Sequence, residues 1–323
     1  MISSRCVPLL ASLLPWLGFL SVPSIRCCSA QEPRARAIEE FRVVGYLPDY
    51  RFSQFPNLPI DQLTDLVLFS AEPNRDGTIS MERLSKTPWD AIDQAKTKHR
   101  FRLILCVGGW ERSVNFEEVA ANPSLRRRFI QDALQLCLRR RIDGIDLDWE
   151  HPKTPEQIQN YGQLIMELQR AFAERGLLVS ATIAAWQDLP RDAIASLDAL
   201  QIMAYDHPKR HSTREDAMRD IEAVLKKGAT ERQVVLGLPF YARHIERNQE
   251  TMTYENILEK FHPPESTDEV EGFYFNGKKT ILQKLDDAHR LKLGGVMVWE
   301  IGQDATGESS LLRAIRSRLL GSR

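Results

Sequence analysis

The sequence predicts a single α/β domain of the (β/α)8, or TIM-barrel, type. Eight short apolar runs recur between amphipathic helical stretches over roughly 290 residues, the alternation such a barrel requires. The junctions between helices and strands are short, the order in which parallel strands become covered by helices on both faces. A third observation excludes the open alternative. Tyr46-Leu47-Pro48-Asp49, after the first run, is not the glycine-rich phosphate turn of a doubly wound sheet.

Residues 1–30 stand apart from this pattern. Arg5 precedes a run from Val7 to Val22 that is nearly free of polar groups, broken by Pro8 and Pro15 and too short for a membrane span. Cys28-Ser29-Ala30 supplies small residues of the kind a signal peptidase reads, and the chain turns polar at Gln31-Glu32-Pro33. The expectation is a cleaved export signal over 1–30 and a barrel over 31–323, secreted to an extracellular or periplasmic space. Ser24-Ile25-Arg26, ahead of Cys27, does not resemble a lipidation site, which ranks lipoprotein anchoring below simple export.

The strand candidates are Phe41–Tyr46, Leu66–Ser70, Arg102–Val107, Ile142–Leu147, Leu178–Ile183, Ala199–Ala204, Val234–Leu238 and Gly295–Trp299. Helical periodicity lies between them at Pro123–Arg140, Glu156–Arg175, Arg214–Lys227 and Thr280–Leu291. One irregular stretch, Ile245 to Lys279, carries Pro263-Pro264 and the acidic run Glu265–Glu271. It reads as a surface excursion on the seventh strand-to-helix connection. His207 and His211 follow the sixth strand with a proline between them and no third ligand in sight, and they read as surface histidines rather than a metal pair.

Composition narrows the partners. The 43 basic and 44 acidic side chains leave a net charge of -1, so bulk charge implies no nucleic-acid partner. Removal of the signal leaves two of the five cysteines, Cys106 and Cys137, both on apolar elements and expected as buried free thiols. Without a disulfide framework, the core must supply the stability.

The fourth strand carries the chemistry. In Ile142-Asp143-Gly144-Ile145-Asp146-Leu147-Asp148-Trp149-Glu150, apolar and acidic residues alternate from Ile145 onward, so Asp146, Asp148 and Glu150 share one face. Neighbouring acids there lie about 6.5–7 Å apart by backbone rise alone. In a strand buried on both faces they repel one another, and at least one must hold a proton at neutral pH. Asp143 falls on the opposite face and reads as a turn or anchoring residue. Tyr46, Gly108-Gly109-Trp110, Tyr205-Asp206 and Trp299-Glu300 also end strands, where function sits in such barrels. Acids and flat aromatic rings converging on one face are the composition of a sugar cleft.

These residues resemble a known family. Asp143-Gly144-Ile145-Asp146-Leu147-Asp148-Trp149-Glu150 fits the D-G-x-D-x-D-x-E signature of glycoside hydrolase family 18, the chitinase family. Gly45-Tyr46, Met203-Ala204-Tyr205-Asp206, Leu238-Pro239-Phe240-Tyr241-Ala242-Arg243 and Gly294-Gly295-Val296-Met297-Val298-Trp299-Glu300 resemble its first, sixth, seventh and eighth strands, so the likeness spans nearly all of the mature chain. Two departures stand out. Cys106 replaces the serine of S-x-G-G, which bears on the pH optimum, and the small α+β insertion that deepens many chitinase clefts is reduced or absent.

The resemblance implies retaining hydrolysis of β-1,4-linked N-acetylglucosamine polymers, in which the substrate's own acetamido oxygen attacks the anomeric carbon. Glu150 would donate the proton. Asp148 would orient the acetamido group and share a proton with Asp146, and Tyr205 would hold the acetamido oxygen. Trp299 would floor the sugar subsite, with Met203, Asp206, Tyr46, Tyr241, Arg243, Gly109 and Trp110 as further substrate-binding residues. No cofactor or metal is implied. The partner is chitin or another N-acetylglucosamine-containing glycan, with no membrane contact beyond the export signal. Three alternatives stay open: a non-catalytic lectin-like barrel, against which the presence of Glu150 counts; a hard-cation site on Asp146, Asp148 and Glu150; and an endo-β-N-acetylglucosaminidase acting on N-glycans or peptidoglycan.

Overall fold

The computed structural model describes residues 41–321; the export signal expected over residues 1–30 lies outside them. Eight parallel strands form the barrel: β1 (Arg42–Pro48), β2 (Asp65–Pro73), β3 (Arg102–Gly108), β4 (Gly144–Asp148), β5 (Leu178–Ile183), β6 (Ala199–Ile202), β7 (Val234–Pro239) and β8 (Gly295–Trp299). Each pairs with its sequence neighbour, and β1 pairs with both β2 and β8, which closes the ring.

Period-two alternation sorts the side chains. Ile145, Leu147 and Trp149 join the cluster between strands and helices, together with Leu103, Leu105, Val179 and Ala181. The inside holds a smaller cluster that includes Val44, Val67, Ile104, Cys106 and Met297. Burying an aliphatic side chain of this kind stabilises by about 1.5–3 kcal/mol, and among the described residues both cysteines, Cys106 and Cys137, are free and buried.

Local signals set where β4 begins. The helix Pro123–Arg140 opens with Asn122 accepting the Ser124 amide at 2.8 Å, and it closes at Arg141, which adopts a left-handed φ of 51°. Asp143 then anchors the strand as expected, accepting the Leu103 amide at 2.8 Å and Lys96 Nζ at 2.7 Å. After β4, Thr154 caps the helix Pro155–Ala173 through a capping box with Gln157.

Two expectations need correction. The 245–279 stretch is more regular than its sequence suggests. Strands Tyr241–His244, Thr251–Thr253, Glu269–Val270 and Phe273–Tyr274 build a four-stranded antiparallel sheet, joined by the helix Tyr254–Phe261. The small insertion is thus reduced rather than absent. Strands of two to four residues are too short to show a period, which is why the sequence reads as irregular. His211 is no surface residue either: it is wholly buried, its ring tilted 4.9 Å from that of Tyr241, and burial pushes its pKa down to about 3. His207 is half-exposed and paired with Asp220 at 2.8 Å.

Candidate active site

The carboxyl ends of the strands surround a cavity of about 460 Å³ lined by Tyr46, Phe69, Trp110, Asp148, Glu150, Thr182, Met203, Tyr205, Asp206, Arg243, Gln249 and Trp299. Nine of these were expected from the sequence: Tyr46, Trp110, Asp148, Glu150, Met203, Tyr205, Asp206, Arg243 and Trp299. Asp146, Gly109 and Tyr241 stand behind the wall. Phe69, Thr182 and Gln249 went unrecognised. Thr182 carried a legible signal, since it lies on the same inward face of β5 as Ser180; Gln249 carried none, because its loop has no period.

Asp146 sits at the bottom and is fully engaged. Its Oδ1 accepts Ser180 Oγ at 2.6 Å and Gln201 Nε2 at 2.9 Å, while its Oδ2 lies 2.8 Å from Tyr46 Oη and 2.9 Å from Thr182 Oγ1. Tyr46 Oη also accepts Gln201 Nε2 at 2.8 Å, so its hydroxyl is tied into this buried layer while its ring lines the cavity. Cys106 pairs with Asp146 in the β3–β4 register and bonds to its carboxyl, and burial pushes the thiol pKa well up.

Asp148, one step nearer the opening, is 3 % exposed, and its Oδ1 has no hydrogen-bond partner in the protein. Burial, then the negative fields of Glu150 and Asp146, raise its pKa well above the usual carboxylate range. Glu150 lies just past the strand. Burial and then Asp206 push its pKa up to about 7, against a hydrogen bond from the Trp110 backbone. A carboxyl that still carries its proton near neutrality can donate it.

The glycine pair after β3 holds this end together. Gly108 and Gly109 adopt φ of 104° and 102°, and a Cβ on Gly108 would meet the Asp148 carbonyl at 2.2 Å. Gly109 instead donates its amide to Asp148 O at 2.6 Å, and Ser113 Oγ bridges Gly109 O and Asp148 O at 3.0 Å each. Gly109 therefore shapes the support of the acids.

Across the cavity, Tyr205 is buried with its hydroxyl 3.9 Å from Met297 Sδ, and burial and nearby acids keep it protonated. Asp206 accepts Tyr241 Oη and Arg243 Nη2, the latter at 2.9 Å. Tyr241 is thus a support for Asp206, while Arg243 reaches the wall. The Trp299 ring stands edge-on to Phe69 at 4.7 Å and tilted to Tyr46 at 5.7 Å. Glu300 behind it is wholly buried and bound to Arg51 Nε at 2.9 Å. Among the described residues no group of three or more His, Cys, Asp or Glu side chains is arranged to hold a metal ion.

This geometry agrees with comparison to known proteins. The family model for glycosyl hydrolases family 18 matches residues 42–304. The chain is 26% identical over 311 residues to probable chitinase 2 of Drosophila melanogaster, covering 75% of this chain and 64% of that protein. It is 28% identical over 192 residues to chitinase A1 of Niallia circulans, covering 46% of this chain and 27% of that one. The chain therefore spans less than two thirds of the length of these curated relatives. Among solved structures, a family 18 chitinase from the chitin utilization locus of Flavobacterium johnsoniae superposes with a TM-score of 0.78 at 26% identity, over 86% of this chain and 94% of that one. With that family's model covering the barrel from its first strand to beyond its last, the chain belongs to the glycosyl hydrolases of family 18.

Proposed function

We propose that the protein is a glycoside hydrolase that cleaves β-1,4-linked N-acetylglucosamine polymers, chitin or chitooligosaccharides, with retention and through the substrate's own acetamido group. The observation that carries this reading is the pair at the cavity floor: Glu150, held near pKa 7, beside the buried Asp148, whose Oδ1 lacks a partner. Glu150 donates a proton to the glycosidic oxygen, and its conjugate base later draws a proton from water. Asp148 offers its unpartnered Oδ1 to the acetamido N–H, and passing its shared proton toward Asp146 leaves negative charge beside the oxazolinium as it forms. Tyr205 keeps its proton and donates a hydrogen bond to the acetamido oxygen, holding that oxygen in line with the anomeric carbon.

Among the described residues the other strand-end carboxylates, Asp206 and Glu300, are both engaged, which supports the substrate as nucleophile. A protein nucleophile would stand about 5 Å across the bond from the donor. Asp206 is held by Tyr241 and Arg243, and Glu300 is sealed against Arg51. The decisive experiment compares acetylated and fully deacetylated polymer. Cleavage of only the acetylated form is expected; equal cleavage of both would overturn the reading. Parallel product analysis with N-glycans and peptidoglycan decides the polymer, and binding without cleavage of any would indicate a lectin-like barrel. Export belongs to the same proposal, supported by Val7–Val22 and Cys28-Ser29-Ala30. N-terminal sequencing of the protein recovered outside the cytoplasm tests it, and recovery with the membrane fraction would point to lipid anchoring instead.

A further inference from the structure

His151 is an ionisable neighbour of Glu150 that this mechanism leaves unused; the other, Asp206, is tied to Tyr241 and Arg243. Its Nε2 lies 3.6 Å from Glu150 Oε2, with both side chains largely buried. On the other side of the ring, Nδ1 is 2.9 Å from Gln187 Oε1. Gln187 is 1 % exposed, and its amide nitrogen faces the Trp149 carbonyl at 3.5 Å, which turns its oxygen toward the histidine. An amide oxygen only accepts, so Nδ1 must carry the proton. Nε2 is then a bare lone pair aimed at the acid. The clamp is itself braced: Lys227 Nζ donates to the carbonyls of Ala185 and Gln187 at 3.0 and 2.7 Å, and the Trp186 ring stands edge-on to the imidazole at 4.7 Å.

We propose that His151 is a positioning residue for Glu150: the neutral imidazole, locked in its Nδ1–H form by Gln187, accepts the proton-bearing carboxyl at Nε2 and holds it protonated until a glycan enters. The inference rests on Glu150 as the proton donor. At 3.6 Å the pair stands just beyond hydrogen-bond length, so the contact requires the carboxyl to shift toward Nε2. Accepting from the neutral carboxyl favours that form, which moves Glu150's titration upward. The charged groups around the ring suit a neutral histidine. Glu150 is in its protonated form, Lys153 on the following loop disfavours a second cation, and Lys227 on the facing side is paired with Asp188 at 2.9 Å. Burial, the largest cause, acts in the same direction.

Two substitutions separate this role from simple packing. His151→Asn retains a donor near Nδ1 and removes the acceptor; His151→Gln places an amide oxygen near Nε2. In hydrolysis of a soluble acetylated oligosaccharide, His151→Asn should move the alkaline limb of kcat/KM down by about half to one pH unit, the scale of one hydrogen bond to one protonation state. His151→Gln should restore part of the shift. A fall in rate with an unmoved pH profile in both variants would overturn the proposal. Nitrogen-15 NMR of the wild-type histidines gives a test without variants: the His151 signal should show a protonated Nδ1 and a bare Nε2, and the opposite tautomer would also overturn it. Glu150→Gln run alongside keeps the two questions apart. Retained activity there refutes Glu150 as donor, whereas lost activity with an unmoved His151→Asn profile refutes only the role of His151.

Discussion

Asp146 and Asp148 stand two residues apart on one face of one strand, yet the first is surrounded by polar side chains and the second has almost none. Ser180, Gln201, Tyr46 and Thr182 converge on Asp146 from three other strands, while Oδ1 of Asp148 is buried without a partner. A satisfied buried network rigidifies a core, and an unsatisfied buried acceptor costs stability. The fold holds the inner acid in place and leaves the outer two acids under strain that a substrate could relieve. Stability and chemistry thus separate along about 7 Å of backbone.

Breaking the outer pair should have the largest effect on rate. Glu150→Gln should fold, still bind oligosaccharide and lose at least about a hundredfold in turnover, the usual scale for a general acid; near-normal turnover would refute its role. Tyr205→Phe should come next, lowering kcat on an acetylated oligosaccharide by about tenfold or more while the dissociation constant measured by calorimetry moves far less.

The contrast itself is sharpest in the paired variants Asp146→Asn and Asp148→Asn. Asparagine at 146 turns an N–H₂ toward groups that already donate, and should cost about 1–3 kcal/mol of stability. At 148 it removes a carboxylate that burial penalises and should leave stability at pH 8 equal or higher, although activity falls. Thermal unfolding of both would show it, and equal destabilisation would erase the distinction.

The pH dependence carries a definite sign. Glu150's pKa is raised from 4.5 to about 7, so its contribution to stability is complete below about 4.5 and is lost as pH rises through 7. Asp148 shifts in the same direction. The native protein should therefore lose stability as pH rises from about 4.5 through 7 on Glu150's account, with Asp148 acting in the same direction, and Glu150→Gln should flatten that slope in a series of melting temperatures. Activity should fall on the alkaline side near pH 7 as the donor ionises. The smallest effect belongs to Cys106→Ser. A hydroxyl replaces a weak thiol donor in an already satisfied layer, so the rate should change by no more than about threefold, with any difference showing in the pH profile.

Much of this was readable before any coordinates. The eight strands follow from short apolar runs between helical stretches, and the β4 acids share a face because side chains alternate along a strand, which also sets Asp143 apart from them. What stayed hidden depends on approach from a distance. His211 is buried because the small sheet folds over its loop, and nothing within its own segment announces that. Gln249 reaches the cavity from a connection whose path no period describes, while Phe69 stands on β2 itself, on the same inner face as Val67, and its sequence carries no sign that it meets the opening.

The sequence by itself determined which residue types line the barrel and which end of each strand carries them, since both depend on backbone geometry within a few residues. Only the tertiary structure decided which acid would be satisfied. The donors to Asp146 come from residues 46, 180, 182 and 201, and closure of the ring through β1 brings the first of them within 2.8 Å. Burial and partners set a carboxyl's proton affinity, and both are properties of the closed barrel rather than of the strand.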